Sequence, residues 1–157
     1  GVGSALCLQA QGISNVTLVE PNDLRRTYLA EMLPVTVLHP DGLAETEPFE
    51  LVIDGVGFTQ TRASASQVVR PGGVIMHIGL GSSEGGLDIR RATLQELSFI
   101  GTYTYTAADF RATAAAMFAG QLGPLDWFET CALSAGEQAF HDIRKGAIKA
   151  PKIVLKP

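Results

Sequence analysis

The chain has 157 residues, 18% of them charged and 46% apolar, with a net charge of −4. That length makes one compact core the default, and that composition is the composition of an ordered α/β protein rather than a disordered one. Twelve basic residues leave no stripe that would neutralise a duplex, which excludes nucleic acid as the expected partner, and no apolar run approaches the roughly 20 residues of a membrane span.

From Val2 the apolar positions Ala5, Leu6 and Ala10 recur at helical spacing, and Gly12 stops them. Val16 to Val19 is a β-branched run ending at Glu20. Pro21-Asn22 then opens a helix that runs to about Leu33 and is closed by Pro34. Val35–Leu38 and Phe49–Ile53 read as strands separated by the Pro- and acid-rich stretch 39–48. After Asp54-Gly55-Val56-Gly57 comes a helix ending near Val69, the breaker Pro71-Gly72-Gly73, and the strand Val74–Ile78. A glycine-rich loop at 79–86 leads through an irregular stretch to the strand Leu97–Thr102 and a helix over about Ala107–Ala119. Past Gly123-Pro124 the pattern predicts a linker, a helix over about Ala135–Lys145 and a strand Lys152–Leu155. Strands apolar throughout and separated by helices imply a doubly wound parallel sheet of the Rossmann type, covered on both faces. The predicted division is a dinucleotide-binding domain at 1–123 and a second segment at 124–157.

Glu20 carries the most chemistry. An acid at the tip of the second strand of such a unit accepts both ribose hydroxyl protons of an adenosine and repels a 2′-phosphate, which favours NAD over NADP. No basic residue adjoins it in sequence. The acid also fits a plain helix-start carboxylate. The last glycine of a dinucleotide fingerprint should precede this acid by about 20 residues, and Gly1 precedes it by 19. Arg25 lies one turn into the following helix, where a planar guanidinium can cover an adenine. Gly55-Val56-Gly57 and Ile78-Gly79-Leu80 each end a strand at its carboxyl end, the side on which doubly wound sheets bind ligands.

Other candidates carry less. His39, His77 and His141 share no metal spacing, and His77 fits a packed, hydrogen-bonded core position. Tyr103 and Tyr105 alternate with threonines as the two faces of a strand do, and Ser82 and Ser83 have no partner base. Cys7 and Cys131 read as reduced thiols, which points to the cytoplasm.

The joint order of motifs resembles the zinc-containing alcohol dehydrogenase family, the medium-chain dehydrogenases, and within it the sorbitol and threonine dehydrogenase type. The resemblance is carried by Gly1 with Val16–Glu20, Leu51–Gly57, Arg70-Pro71-Gly72-Gly73, His77–Leu80, Ile100–Tyr103, Ala139-Phe140, Gly146 and Lys152–Leu155. It implies an oxidoreductase that moves a hydride between an alcohol or polyol and NAD, in which this chain supplies the cofactor-binding part and its tail returns to a catalytic domain. Glu20 would then hold the adenosine ribose and Arg25 flank the adenine. Gly1 would be the third fingerprint glycine, and Gly55, Val56 and Gly57 would line the cleft. Ile78, Gly79, Leu80 and Thr102 would lie near the nicotinamide, and Lys152 near the pyrophosphate. No catalytic or metal-binding residue is assigned, because zinc in this family is expected in the catalytic domain.

Two rival readings are a non-catalytic NAD-binding module and a Rossmann-like methyltransferase, the latter requiring an antiparallel closing strand. Further expectations are a homo-oligomer joined through the open edge of the 97–102 strand, and a chain that is an excerpt of a longer polypeptide. In strand order 3-2-1-4-5-6 the first strand is central. The strands at 16–19 and 49–53 should therefore not pair directly, and the isolated chain should be inactive.

Overall fold

The computed structural model describes residues 1–123 and 125–157. It comprises two compact units, one formed by Gly1 with 42–108 and the other by 2–41 with 109–157. The boundary expected at 124 falls on a residue outside the described ones.

In the second unit, α1 (Val2–Ala10), β1 (Thr17–Val19), α2 (Asp23–Met32) and β2 (Thr36–Leu38) follow one another as the sequence predicts. Val2 and Leu6 lie one helical turn apart on α1, as do Leu29 and the residue after α2, Leu33. That spacing puts each pair on one face, and the four make a buried cluster. Leu18 and Val37, paired across the strands, pack on it together with Trp127. The side chain of Asn22 caps α2 by accepting the Arg25 amide at 2.9 Å, a contact worth about 1 kcal/mol.

The same unit contains α5 (Ala107–Phe118), β6 (Glu129–Ala132), α6 (Gly136–Arg144) and β7 (Ile153–Lys156), with β6 and β7 paired in parallel. Residue 107–108 of α5 clusters with the first unit. The sequence predicts linker where β6 lies. Only four residues long and preceded by no turn signal, it becomes a strand because β7 supplies its ladder partners.

The first unit is a three-stranded parallel sheet of order β3-β4-β5, from Phe49–Asp54, Val69–His77 and Ser98–Gly101. The helix α3 (Thr59–Val68) joins the first two, and α4 (Ile89–Leu94) the last two. Arg62, Ala65, Ser66 and Val69 recur at helical spacing and are buried. The small side chains of Ala65 and Ser66 let α3 approach the sheet, where Ala65 and Val69 meet Ile75.

Two expectations change here. Pro71-Gly72-Gly73 does not separate the helix from the strand; β4 begins at Val69 and runs through it, and the β3–β4 register shifts between Phe49 and Leu51. Gly72 takes φ +70°, and a Cβ on Gly73 would fall 2.6 Å from Val69 Cγ2, so glycine makes the bulge possible. The stretch expected to be irregular contains α4, started by Asp88, whose side chain accepts the Arg91 amide at 2.8 Å. At six residues it is too short for a periodic signal.

Every strand pair among the described residues is parallel, as a doubly wound fold requires and against the antiparallel closure of the methyltransferase reading. Strands β1 and β3 do not pair with each other. Cover on both faces does not extend to β5, whose four residues are all exposed. Among the described residues no helix is long and apolar enough to cross a membrane.

Candidate functional site

At the carboxyl end of β1 the chain turns at Glu20 and Pro21 into α2. The Glu20 amide continues the ladder by donating to the Leu38 carbonyl at 3.0 Å. Its carboxylate folds back on the turn, with Oε1 accepting the Asn22 amide at 2.9 Å. The Arg25 guanidinium stands beside it, with Nη1 3.5 Å from Oε1 and 3.4 Å from Oε2. Arg25 is therefore the counter-ion of Glu20, although the sequence shows no basic neighbour, because one helical turn brings residue 25 back over residue 20. The buried Arg25 Nε has no partner among the described residues. Arg26 reaches the Glu20 and Pro21 carbonyls at 3.2 and 3.4 Å and Asp23 Oδ1 at 2.7 Å. The whole turn is anchored to the C-terminal end of α6 by Asn22 Nδ2, which donates to the Gly146 carbonyl at 2.8 Å. A Cβ on Gly146, at φ +67°, would lie 2.7 Å from that nitrogen.

The first unit has a second strand-end site. Asp54 closes β3 with its carboxylate almost wholly buried. Its Oδ1 accepts the Val56 and Gly57 amides at 3.0 and 2.8 Å, and its Oδ2 accepts the Thr61 hydroxyl at 2.9 Å. His77 Nε2 lies 3.7 Å from Oδ2 and 3.5 Å from Arg62 Nη1, with the ring against Phe99.

The turn after β4 packs on the turn after β3 backbone to backbone. Ile78 and Gly79 donate to the Asp54 carbonyl, Gly81 to Val56 and Ser82 to Gly57, at 2.9 to 3.0 Å. A Cβ on Gly57 would fall on the Gly79 carbonyl, and one on Gly79 on the Val56 peptide. These glycines are thus required by the packing of one turn on the other. Arg62 pins the following loop: Nη1 donates to the Gly57 and Ser82 carbonyls at 2.7 and 3.0 Å, Nε to Gly85 at 2.6 Å, and Nη2 to the Glu84 carbonyl.

A model of the zinc-binding dehydrogenase family matches residues 1–119. The chain belongs to that family. Among relatives of this family member, the probable D-xylulose reductase A of Neosartorya fischeri is 29% identical over 98 residues, which are 62% of this chain and 27% of the relative. The acetophenone reductase of Geotrichum candidum, solved in complex with NAD, superposes with a TM-score of 0.82 at 21% identity over 100% of this chain and 45% of that one. The L-idonate 5-dehydrogenase of Escherichia coli K-12 gives 0.80 at 17% identity over 98% of this chain and 46% of that one. The chain thus spans about half the length of these two solved proteins, which establish its Rossmann fold.

The residues singled out from the sequence fall into groups. Glu20 and Arg25 touch each other in one unit. Lys152, in the same unit, lies exposed at the start of β7, its carbonyl accepting the Glu129 amide at 3.0 Å. In the other unit Gly55, Val56 and Gly57 meet Ile78, Gly79 and Leu80, and the Thr102 amide donates to the His77 carbonyl at 2.9 Å. The Gly1 nitrogen sits 3.3 Å from where a Gly55 Cβ would be. Val56 and Leu80 are exposed at the rim of these turns. Sequence reasoning passed over Asp54 and Arg62, which build the turns. A signal was available: an acid and then glycines at a strand end, with an arginine eight residues on, in a helix of otherwise small residues.

Proposed function

We propose that this chain is the cofactor-binding part of an NAD-dependent alcohol or polyol dehydrogenase. The observation that carries the reading is the state of Glu20. An ionised carboxylate is an acceptor with about four lone-pair sites, and among the described residues Glu20 Oε2 is engaged by Arg25 alone, at 3.4 Å. It retains capacity for the two donors that an adenosine ribose offers, while its charge opposes a 2′-phosphate.

NAD, when bound, supplies the hydride acceptor at its nicotinamide. The residues of this chain bind and orient. Glu20 accepts the ribose hydroxyls, and Arg25 fixes the carboxylate that does so, besides flanking the adenine. The backbones of Gly55–Gly57 and Ile78–Leu80, with Thr102, form the floor on the nicotinamide side, where exposed Val56 and Leu80 keep water from the ring. Gly1 and Lys152 serve the pyrophosphate.

Zinc does not fit on these residues: among those described, no three His, Cys, Asp or Glu side chains converge. If the full-length protein uses zinc, its ligands lie elsewhere in the polypeptide, and the isolated 157 residues are inactive. The exposed β5 edge, with Phe99 and Ile100, is the surface for self-association. Two unpaired cysteines favour the cytoplasm.

Calorimetric titration of the full-length protein tests the cofactor. The wild type should prefer NAD to NADP, and Glu20→Gln should shrink that preference about tenfold, equivalent to about 1.4 kcal/mol. Equal affinity of the wild type for both cofactors would sink the reading.

A further inference from the structure

The edge that carries Glu20 holds one more polar group to which the cofactor reading gives no role. His39 is the first residue after β2. The ladder pairs Val19 with Leu38, so the register extended by one residue matches Glu20 with His39. Neighbouring strands lie about 4.8 Å apart, which makes these two residues adjacent at the rim.

The imidazole is fixed through one nitrogen. Nδ1 lies 3.2 Å from the Asp41 amide nitrogen and 3.2 Å from Asp41 Oδ2. The backbone amide of Asp41 donates to Nδ1, and a neutral ring that accepts there carries its proton on Nε2. Nε2 then presents an N–H, and no hydrogen bond or ion pair from it is found among the described residues. The side chain is 42% exposed. The neighbouring cations are directed elsewhere, Arg25 to the Glu20 carboxylate and Arg26 to the Glu20 and Pro21 carbonyls and Asp23.

We infer that His39 binds the adenine base, its Nε2–H donating to a ring nitrogen of the adenosine whose ribose Glu20 holds. The inference rests on the NAD reading and extends it to a residue that the family resemblance did not supply. Its logic is complementarity. Ribose hydroxyls are donors and match a carboxylate, whereas the adenine ring nitrogens are acceptors and need an N–H. Two residues matched in register at the ends of adjacent strands provide one of each.

The test is calorimetric titration of the full-length protein with AMP, NAD and nicotinamide mononucleotide. His39→Asn keeps an acceptor for the Asp41 amide, as in an Asx turn, and removes the distal nitrogen. It should weaken AMP and NAD about five-fold, the size of one net hydrogen bond, and leave nicotinamide mononucleotide unchanged. His39→Gln, whose amide reaches about as far as Nε2, should restore most of the affinity. Glu20→Gln is the control. If it weakens AMP while His39→Asn binds AMP like the wild type, the inference is overturned and the NAD reading stands. If neither variant affects AMP, both are overturned. Equal weakening of AMP and nicotinamide mononucleotide by His39→Asn would also overturn it, since a general distortion then explains the loss.

Discussion

Glu20 and Asp54 are carboxylates in the same topological place, the end of a parallel strand where the chain turns toward a helix, yet their surroundings differ. Asp54 is held from within by two amides and a hydroxyl, with His77 Nε2 3.7 Å away, and its side chain is 2% exposed. Glu20 takes one amide and a long ion pair and is 15% exposed. The first carboxylate holds a turn together and is closed off from a ligand by burial, whereas the second keeps acceptor capacity at the surface. What separates a structural acid from a binding acid here is the number of internal donors aimed at it, since both occupy the ligand-binding end of the strand.

Three substitutions sharpen or break that contrast, in order of expected effect on the stability of the full-length protein. The largest is Gly57→Ala. Its φ of +75° already disfavours a side chain, and the new Cβ would collide with the Gly79 carbonyl. Urea denaturation should show a loss of about 3 kcal/mol or more. A loss below about 1 kcal/mol would mean that the two turns part easily and are not the rigid partner in the comparison.

Next is Asp54→Ala, which leaves the buried Gly57 amide without its acceptor. The expected loss is about 2 to 3 kcal/mol, with Asp54→Asn losing less because an Oδ1 acceptor remains. If Asp54→Ala cost no more than a change at Glu20, the division into structural and binding carboxylates would fail.

The smallest effect belongs to Arg25→Ala. The pair it breaks is long, at 3.4 Å, and the substitution also removes a buried Nε that lacks a partner. These contributions oppose each other, and the net change in thermal unfolding should correspond to less than about 1 kcal/mol. A larger loss would show that Glu20, like Asp54, belongs to the framework.

The order of elements from α1 to β5, α4 apart, was legible in the sequence because each apolar run is bounded by strong punctuation: Gly12, Pro21, Pro34 and the glycines after Asp54 and Ile78. The parallel, doubly wound arrangement followed from strands without polar alternation. Glu20 stood out because its distance from Gly1 and its place before Pro21 are local facts.

Other features depended on how the chain folds back on itself, over one helical turn or over many residues. The strand β6 exists through its pairing with β7, and β4 crosses Pro71 because Gly72 and Gly73 accommodate a bulge opposite β3. Arg25 is a partner of Glu20 only once the helix has turned. His39 became a neighbour of Glu20 only when β1 and β2 paired in register. The sequence by itself determined where elements start and stop, since backbone propensity and punctuation act over a few residues. The hydrogen-bond donors to each carboxylate lie within seven residues of it, whereas tertiary structure alone decided what faces the two acids from elsewhere in the chain, because His77 comes beside Asp54 and His39 beside Glu20 only when neighbouring strands pair in register.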